Sequence, residues 1–352
     1  RDGANLQRRE RPAGQFPAAD LSGRRRWCGR VCEQSHEIQI AHAIDLQLPR
    51  CDIDHTLKSV SRFGPPCPAI GRVRLRVGEH ADDFGMSHSV NRAIIEALEH
   101  RWVTSASIMV PCPWFEEVAQ WAKAHPDADL GIHLVLNSEW TSLRWGPVSG
   151  RETVPSLLDA QGYLPLETDA VSQHAKAPEV ERELRAQIEF ARASGVNITH
   201  LDSHMAALFQ TEMLYGIYHN LGRSYALPQL IERIGERGGE QAPPWAVQAR
   251  GDALVDRVLG MSPGVPADKW LAEYKKWLTP LGPGVYELIV HLGYNDDEMR
   301  GATSDHPNWG AAWRQSDLDL VKSDAFQNFL KQQQFHLITW RELGKARMKS
   351  AA

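Results

Sequence analysis

The sequence predicts an α/β fold on a mostly parallel sheet, either open or closed into a barrel. Three observations predict it. From residue 81 onward, short apolar runs alternate with longer segments whose apolar residues recur at helical spacing, the pattern of strand–helix units. At 352 residues and 42% hydrophobic, the chain is long enough for one large barrel or two smaller domains. Lastly, Asp82, Asp83, His133, Asp202, His204 and His291 each sit inside or just beyond an apolar run. The C-terminal strand ends form the active face of parallel α/β folds, so separate segments have a reason to meet there.

The elements follow in order. Ser87 opens a helix with Ala93, Ile94, Ala97 and Leu98 on its apolar face. Ser105–Val110 reads as a buried strand stopped by Pro111, and Pro113–Ala124 as a helix. Leu130–Leu136 is a strand carrying His133. Residues 138–178 are rich in Gly, Pro and Ser and are expected to form a long excursion beside the site, a lid or binding surface. Pro178 starts a helix striped by Val180, Leu184, Ile188 and Ala191, and Gly195 closes it. Asn197–Leu201 is a strand leading into Asp202 and His204, and Leu208–Leu221 is helical. Residues 231–248 read as a second loop, Val285–Leu292 as a strand, Leu318–Leu330 as a helix and Phe335–Trp340 as a last strand.

Residues 1–78 differ from the rest. They hold 13 Arg, one Lys and 8 acidic residues, and no stretch keeps a helical or strand period for long. The expected division is an Arg-rich leader over 1–78, disordered or non-native in sequence, and a catalytic domain over 79–345. A small accessory region is a further reading of the leader, and a basic arm that docks an anionic surface another. The five cysteines, Cys28, Cys32, Cys51, Cys67 and Cys112, lie mostly in this leader, so no disulfide scaffold is expected for the main domain.

Net charge is -5 and no run of 18 apolar residues exists. The chain is therefore expected to bind neither nucleic acid nor membrane. It begins without Met and without an apolar signal core, which leaves cytoplasmic and exported locations both open. A homodimer is compatible with this composition.

Asp with two His suits a borderline divalent ion and leaves positions for water and substrate. Such a site lowers the pKa of bound water and polarises a carbonyl. Two adjacent aspartates can divide the work between metal binding and proton abstraction. Asp202 is placed to fix a ligand imidazole, and His291 to protonate a leaving group. Each residue also has a structural reading: Asp82-Asp83 as a turn, His133 as a core histidine, His204 as a helix cap. Asp296-Asp297-Glu298 reads as a solvated helix start. Trp140, Trp145, Trp309 and Trp313 lie in loop-like stretches, where they stack on sugar rings or simply pack.

Ala81-Asp82-Asp83-Phe84-Gly85-Met86-Ser87 with Val90-Asn91 resembles the opening motif of the YdjC-like carbohydrate deacetylases. Gly131-Ile132-His133-Leu134 resembles their second motif, and Thr199-His200-Leu201-Asp202-Ser203-His204 their third. Tyr286 to His291 resembles a later strand. Order and separation agree from residue 80 to about 342. The resemblance implies a (β/α) barrel-like fold related to polysaccharide deacetylases, and hydrolysis of an N-acetyl group on an amino sugar or oligosaccharide. By position it implies Asp83, His133 and His204 as metal ligands, Asp82 as general base and His291 as acid. The implied ion is magnesium or zinc, the imidazoles leaning toward zinc. Trp140, Trp309 and Trp313 are the expected sugar contacts. Other readings are a metal hydrolase of another ester, amide or phosphoester, and a sugar-binding module without catalysis.

The chain departs from the family pattern in three places. His204 is followed by Met205-Ala206 rather than a further histidine, and Leu292 stands where proline is common. Ahead of Asp82, Arg72 to His80 alternates Arg with apolar residues, so the strand there is expected at an edge or absent.

Overall fold

The computed structural model describes residues 76–233 and 254–351. Its strands are β1 (Arg76–Phe84), β2 (Ser105–Ile108), β3 (Leu130–Leu134), β4 (Ile198–Ser203), β5 (Ile231–Glu232), β6 (Leu254–Val255), β7 (Arg257–Gly260), β8 (Val285–Val290) and β9 (His336–Leu337). The main sheet has the order β4-β3-β2-β1-β8-β7. A parallel bridge between Leu201 and Gln229 carries β4 toward β5, which pairs with β6. Asp256 joins β6 to β7, and its amide donates to Val285 O at 2.6 Å. The pairings thus run round a closed circuit, parallel throughout, and the expected barrel-like α/β fold is the one observed.

The helices α1 (His88–Glu99), α2 (Phe115–Ala124), α3 (Thr168–His174), α4 (Ala177–Ala193), α5 (Glu212–Tyr225), α6 (Trp270–Leu278), α7 (Asp297–Ala302), α8 (Ala311–Lys322), α9 (Asp324–Gln332) and α10 (Trp340–Ala351) accompany the strands. Local chemistry explains the two best-marked starts. Ser87 caps α1 by accepting from the Val90 amide, and Pro178 lies in the first turn of α4. The four α4 stripe residues are fully buried. Among the described residues no helix is long and apolar enough to cross a membrane.

Several expectations need correction. The strand before Asp82 is present and central, paired with β2 on one side and β8 on the other. It begins at Arg76, inside the segment expected to be unorganised, because backbone pairing with β8 and β9 holds Arg76 and Val77 in register. The rest of the leader, and residues 234–248 of the second expected loop, lie outside the described residues. The stretch 311–332 is two helices, not one, since Ser323 takes an extended backbone and caps α9 by accepting from Phe326 N. Trp340 starts a helix where a strand end was expected. The excursion 138–178 is ordered and contains α3. Glu183 of α4 accepts from the amides of Val148 and Ser149, and Gln187 brackets Val135 with both amide atoms.

Strand alternation sets Gly78, His80 and Asp82 inside the barrel and Glu79 outward. Glu79 is fully buried, and neither carboxyl oxygen has a hydrogen-bond partner. Burial pushes its carboxyl from an ordinary 4.5 to about 8. Between those values the folded chain keeps a proton that the unfolded chain has released, so this residue erodes stability as pH rises from about 4.5 to about 8. Glu79→Gln is expected to leave stability at pH 5 nearly unchanged. By pH 8 it should raise stability by up to about 4 kcal/mol, at roughly 1.4 kcal/mol per pH unit. Urea denaturation at both pH values measures this. A variant with equal effect at the two would show that Glu79 is ionised in the fold.

Candidate active site

The barrel interior is polar. His80, Asp82, Ser105, Ser107, His133, His200, Asp202 and Glu287 are all buried. At the lower end, Trp340 stacks on His200 with ring centroids 4.9 Å apart and donates from its indole N–H to Glu287 at 2.9 Å. Above this, His80 meets Ser105 Oγ through Nδ1 at 2.7 Å, and Asp202 Oδ2 and Asp82 Oδ1 through Nε2 at 3.0 and 3.1 Å. Burial opposes charge on His80, but the hydrogen bonds to Asp202 and Asp82 outweigh it and hold the imidazole well above its usual range. A buried imidazolium thus sits among carboxylates under the site. Glu287 is the exception among them: burial pushes it up to about 8.

At the upper end the strand register breaks. The β1–β2 pairing shifts between Ala81 and Phe84, and Asp83 has φ 69°. On a regular strand Asp82 and Asp83 would face opposite sides. The bulge and the left-handed residue let both carboxylates reach one pocket. Met205 and Ala206, directly after His204, are also left-handed. Backbone strain therefore brackets the site, at the end of β1 and in the turn that follows β4.

Asp83 Oδ1 lies 3.7 Å from His133 Nε2 and 3.4 Å from His204 Nδ1. It is buried and has no hydrogen-bond partner, while Asp83 Oδ2 accepts from Arg314 Nη2 at 2.7 Å. Burial works against the charged form of Asp83, but Arg314 and the neighbouring histidines hold it well below the usual carboxylate range. His133 Nδ1 donates to Asp202 Oδ1 at 2.7 Å, so in the neutral ring Nε2 holds the lone pair, facing Asp83; Asp202 and Asp82 overcome burial and hold this imidazole above its ordinary 6.5. Glu139 and Asp83 overcome burial and raise the His204 imidazole to about 10.

Among the described residues, three groups of buried side chains are close enough to hold an ion: Asp83 with His133 and His204, Asp82 with His133 and Asp202, and His80 with His200 and Asp202. Chemistry separates them. In the second, His133 Nδ1 is already engaged by Asp202 at hydrogen-bond distance. In the third, His80 Nε2 is bound to Asp202, and His200 Nε2 abuts Gly131, where a Cβ would lie 2.3 Å away. That contact explains the glycine and uses up the nitrogen's approach. Only the first group offers a buried carboxylate oxygen without a partner between two imidazole nitrogens. It fits a divalent ion, and it consists of the three residues expected as ligands.

The remaining expected residues are distributed around this group. Asp82 Oδ1 accepts from Ser107 Oγ at 3.0 Å, and Oδ2 lies 3.8 Å from His291 Nε2. Burial opposes ionisation of Asp82, but His133 and His80 keep it below its usual range. The His291 amide donates to Asp317 Oδ2 at 2.8 Å, and its ring packs on Trp313 at 5.1 Å. Burial lowers the His291 imidazole from 6.5. Trp140 and Trp313 are 2% and 7% exposed. Arg314 lies over Trp140 and His291 over Trp313. Their faces are therefore taken up by packing, not open to a sugar ring, whereas Trp309 is half-buried. Asp296 caps α7 and accepts from Ser89 Oγ at 2.6 Å, so the acidic run is a helix start as expected.

Sequence reasoning missed His80, Ser107, Glu139 and Arg314. His80 and Ser107 could have been found from strand alternation, sharing a face with Asp82 and with the interior of β2. Arg314 is 231 residues from Asp83, and no local pattern marks it.

Residues 79–332 match the family model described as YdjC-like protein. A carbohydrate deacetylase from Thermus thermophilus is 33% identical over 270 residues, covering 76% of this chain and 93% of the relative. A carbohydrate deacetylase from Brevibacillus brevis is 30% identical over 270 residues, covering 75% and 98%. Among solved structures, an Enterococcus faecalis protein ascribed to cellobiose-phosphate cleavage aligns with a TM-score of 0.63 at 22% identity. That alignment covers 76% of this chain and 98% of the other, a likeness of fold.

Proposed function

The chain belongs to the YdjC-like protein family, and on that premise we propose that it is a metal-dependent carbohydrate N-deacetylase. It would hydrolyse the N-acetyl group of an amino sugar or its oligomers to acetate and a free amine. The single observation that carries the metal dependence is the unpartnered Asp83 Oδ1 between His133 Nε2 and His204 Nδ1. The names of the two relatives carry the substrate class.

Asp83, His133 and His204 would hold the ion, and two imidazoles with one carboxylate favour zinc over magnesium. When bound, a divalent ion supplies a Lewis acid for the acetyl carbonyl and lowers the pKa of a water. Asp82 takes the proton from the attacking water. Its Oδ1 is tied to Ser107 and His80, which leaves Oδ2 as the free basic atom. His291 stands on the Oδ2 side and, once protonated, gives its Nε2 proton to the leaving nitrogen as the C–N bond breaks. Its imidazole is held low, so it releases that proton readily. Arg314 keeps Asp83 ionised and oriented. The residues proposed as base, acid and ligands lie around one pocket, which favours catalysis over sugar binding alone.

The test is acetate release from short N-acetylglucosamine oligomers. Chelator-stripped protein is expected to lose turnover, and stoichiometric zinc to restore it more fully than magnesium. Equal turnover with and without chelator, in a folded protein, would falsify the metal reading. Hydrolysis of phosphoester or O-acetyl substrates alone would move the activity to another hydrolase class.

A further inference from the structure

Each candidate ligand imidazole carries a carboxylate on the nitrogen turned away from Asp83. For His133 the partner is Asp202, across the β3–β4 pair. For His204 it is Glu139, whose Oε2 lies 2.9 Å from Nε2. Glu139 sits in the segment leaving β3, six residues beyond His133. Both partners are largely buried, with side-chain exposures of 5% for His204 and 12% for Glu139.

The segment around Glu139 is fixed on both sides. The Ser138 amide donates to Pro165 O at 2.7 Å, and Ser138 Oγ accepts from Trp145 N at 3.1 Å. Trp140 is buried, and Thr141 N donates to Asp305 Oδ2 at 2.8 Å. The Trp145 ring meets the His204 ring edge-on at 6.4 Å. The ordered excursion after β3 therefore delivers one carboxylate to one imidazole nitrogen and holds it there.

We propose that Glu139 is a positioning residue for His204, fixing the tautomer and ring orientation that aim Nδ1 at the ion. A neutral imidazole has one N–H and one lone pair. With Glu139 accepting at Nε2, that proton stays when an ion binds, and the proton the charged ring gives up is the one on Nδ1, whose lone pair then faces the ion beside Asp83 Oδ1. Without Glu139, Nε2 has no acceptor and the ring is free to place its proton on Nδ1, closing the site. The inference rests on the proposed metal reading, and it assigns a role to a residue outside the ligand and catalytic sets.

The experiment titrates Co2+ into the metal-free full chain at neutral pH and follows its visible absorption bands. Glu139→Ala is expected to weaken Co2+ binding about 10- to 100-fold, in a metal-free protein that unfolds at a lower midpoint than the parent but is folded at the assay temperature. Glu139→Gln keeps a carbonyl oxygen that accepts from Nε2–H, so it is expected to bind within a few-fold of the parent with the same bands. Parent-like affinity in Glu139→Ala overturns the proposal. So does a Glu139→Gln variant as weak as His204→Ala with altered bands, because Glu139 would then be a ligand itself. Failure of the parent to bind Co2+ overturns the metal reading and this inference together, an outcome distinct from the other two.

Discussion

Asp82→Asn is expected to reduce acetate release by roughly 10²–10⁴-fold, the usual contribution of a general base, while the protein still binds its divalent ion. The amide oxygen of asparagine can keep the Ser107 and His80 contacts that hold Asp82 Oδ1, so the pocket keeps its shape. The amide cannot take a proton, so only the base is lost. Turnover and metal stoichiometry must be measured together. If the ion is lost with the activity, Asp82 is a ligand and its division of labour with Asp83 is reversed. If activity survives, the base lies elsewhere, and His291, 3.8 Å from Asp82 Oδ2, is the next candidate.

Asp202→Ala is expected to have the largest effect on stability. Asp202 is 2% exposed and accepts from two imidazoles, His80 and His133. Removing it leaves the buried His80 imidazolium with Asp82 as its one carboxylate at hydrogen-bond distance and His133 Nδ1 with only the Ser107 hydroxyl, at a cost of about 3–5 kcal/mol. For a domain of this size that lowers Tm by roughly 6–20 °C. Metal affinity should fall as well, because His133 loses the acceptor that sets its tautomer.

The pH dependence follows from the directions of the two shifts. Burial opposes ionisation of Asp202, but His133 and His80 hold it below its ordinary 3.8, so its contribution is present above that value and lost as pH falls. His80 is held above its ordinary 6.5, so its contribution is full below 6.5 and lost as pH rises through the higher folded value. The Asp202→Ala deficit is therefore expected to be greatest between about pH 4 and 6.5. Urea denaturation at pH 3, 5.5 and 9 measures it, and a deficit that does not vary with pH would show that the pair is not charged in the fold.

The helical stripes and Ser87 cap were legible because they are local, repeating within one or two turns. Helix α6 was missed although Trp270, Tyr274 and Leu278 form a buried stripe at four-residue spacing. The turn-forming residues on either side of it, Ser262-Pro263-Gly264 and Pro280 to Gly284, obscured it. β1 was misjudged for a different reason. Its pattern of alternating charge and apolar residues suggests an edge, yet this barrel interior is polar. His80 is held there by Asp82, Asp202 and Ser105. A rule that central strands are apolar on both faces fails where the core itself is a hydrogen-bonded network.

By itself the sequence determined the α/β class, the parallel order of its units, and the three segments that carry Asp83, His133 and His204. Each of these is written in local periodicity or in a short contiguous motif. Only the tertiary structure decided how those residues are arranged. A bulge and a left-handed Asp83 turn two adjacent carboxylates toward one pocket. Asp202 and Glu139 set the two imidazoles, and Arg314 takes one oxygen of Asp83 and leaves the other without a partner. These are contacts among strand ends, one loop and helix α8, 65 to 231 residues apart. Their meeting depends on closure of the barrel, which no local pattern encodes.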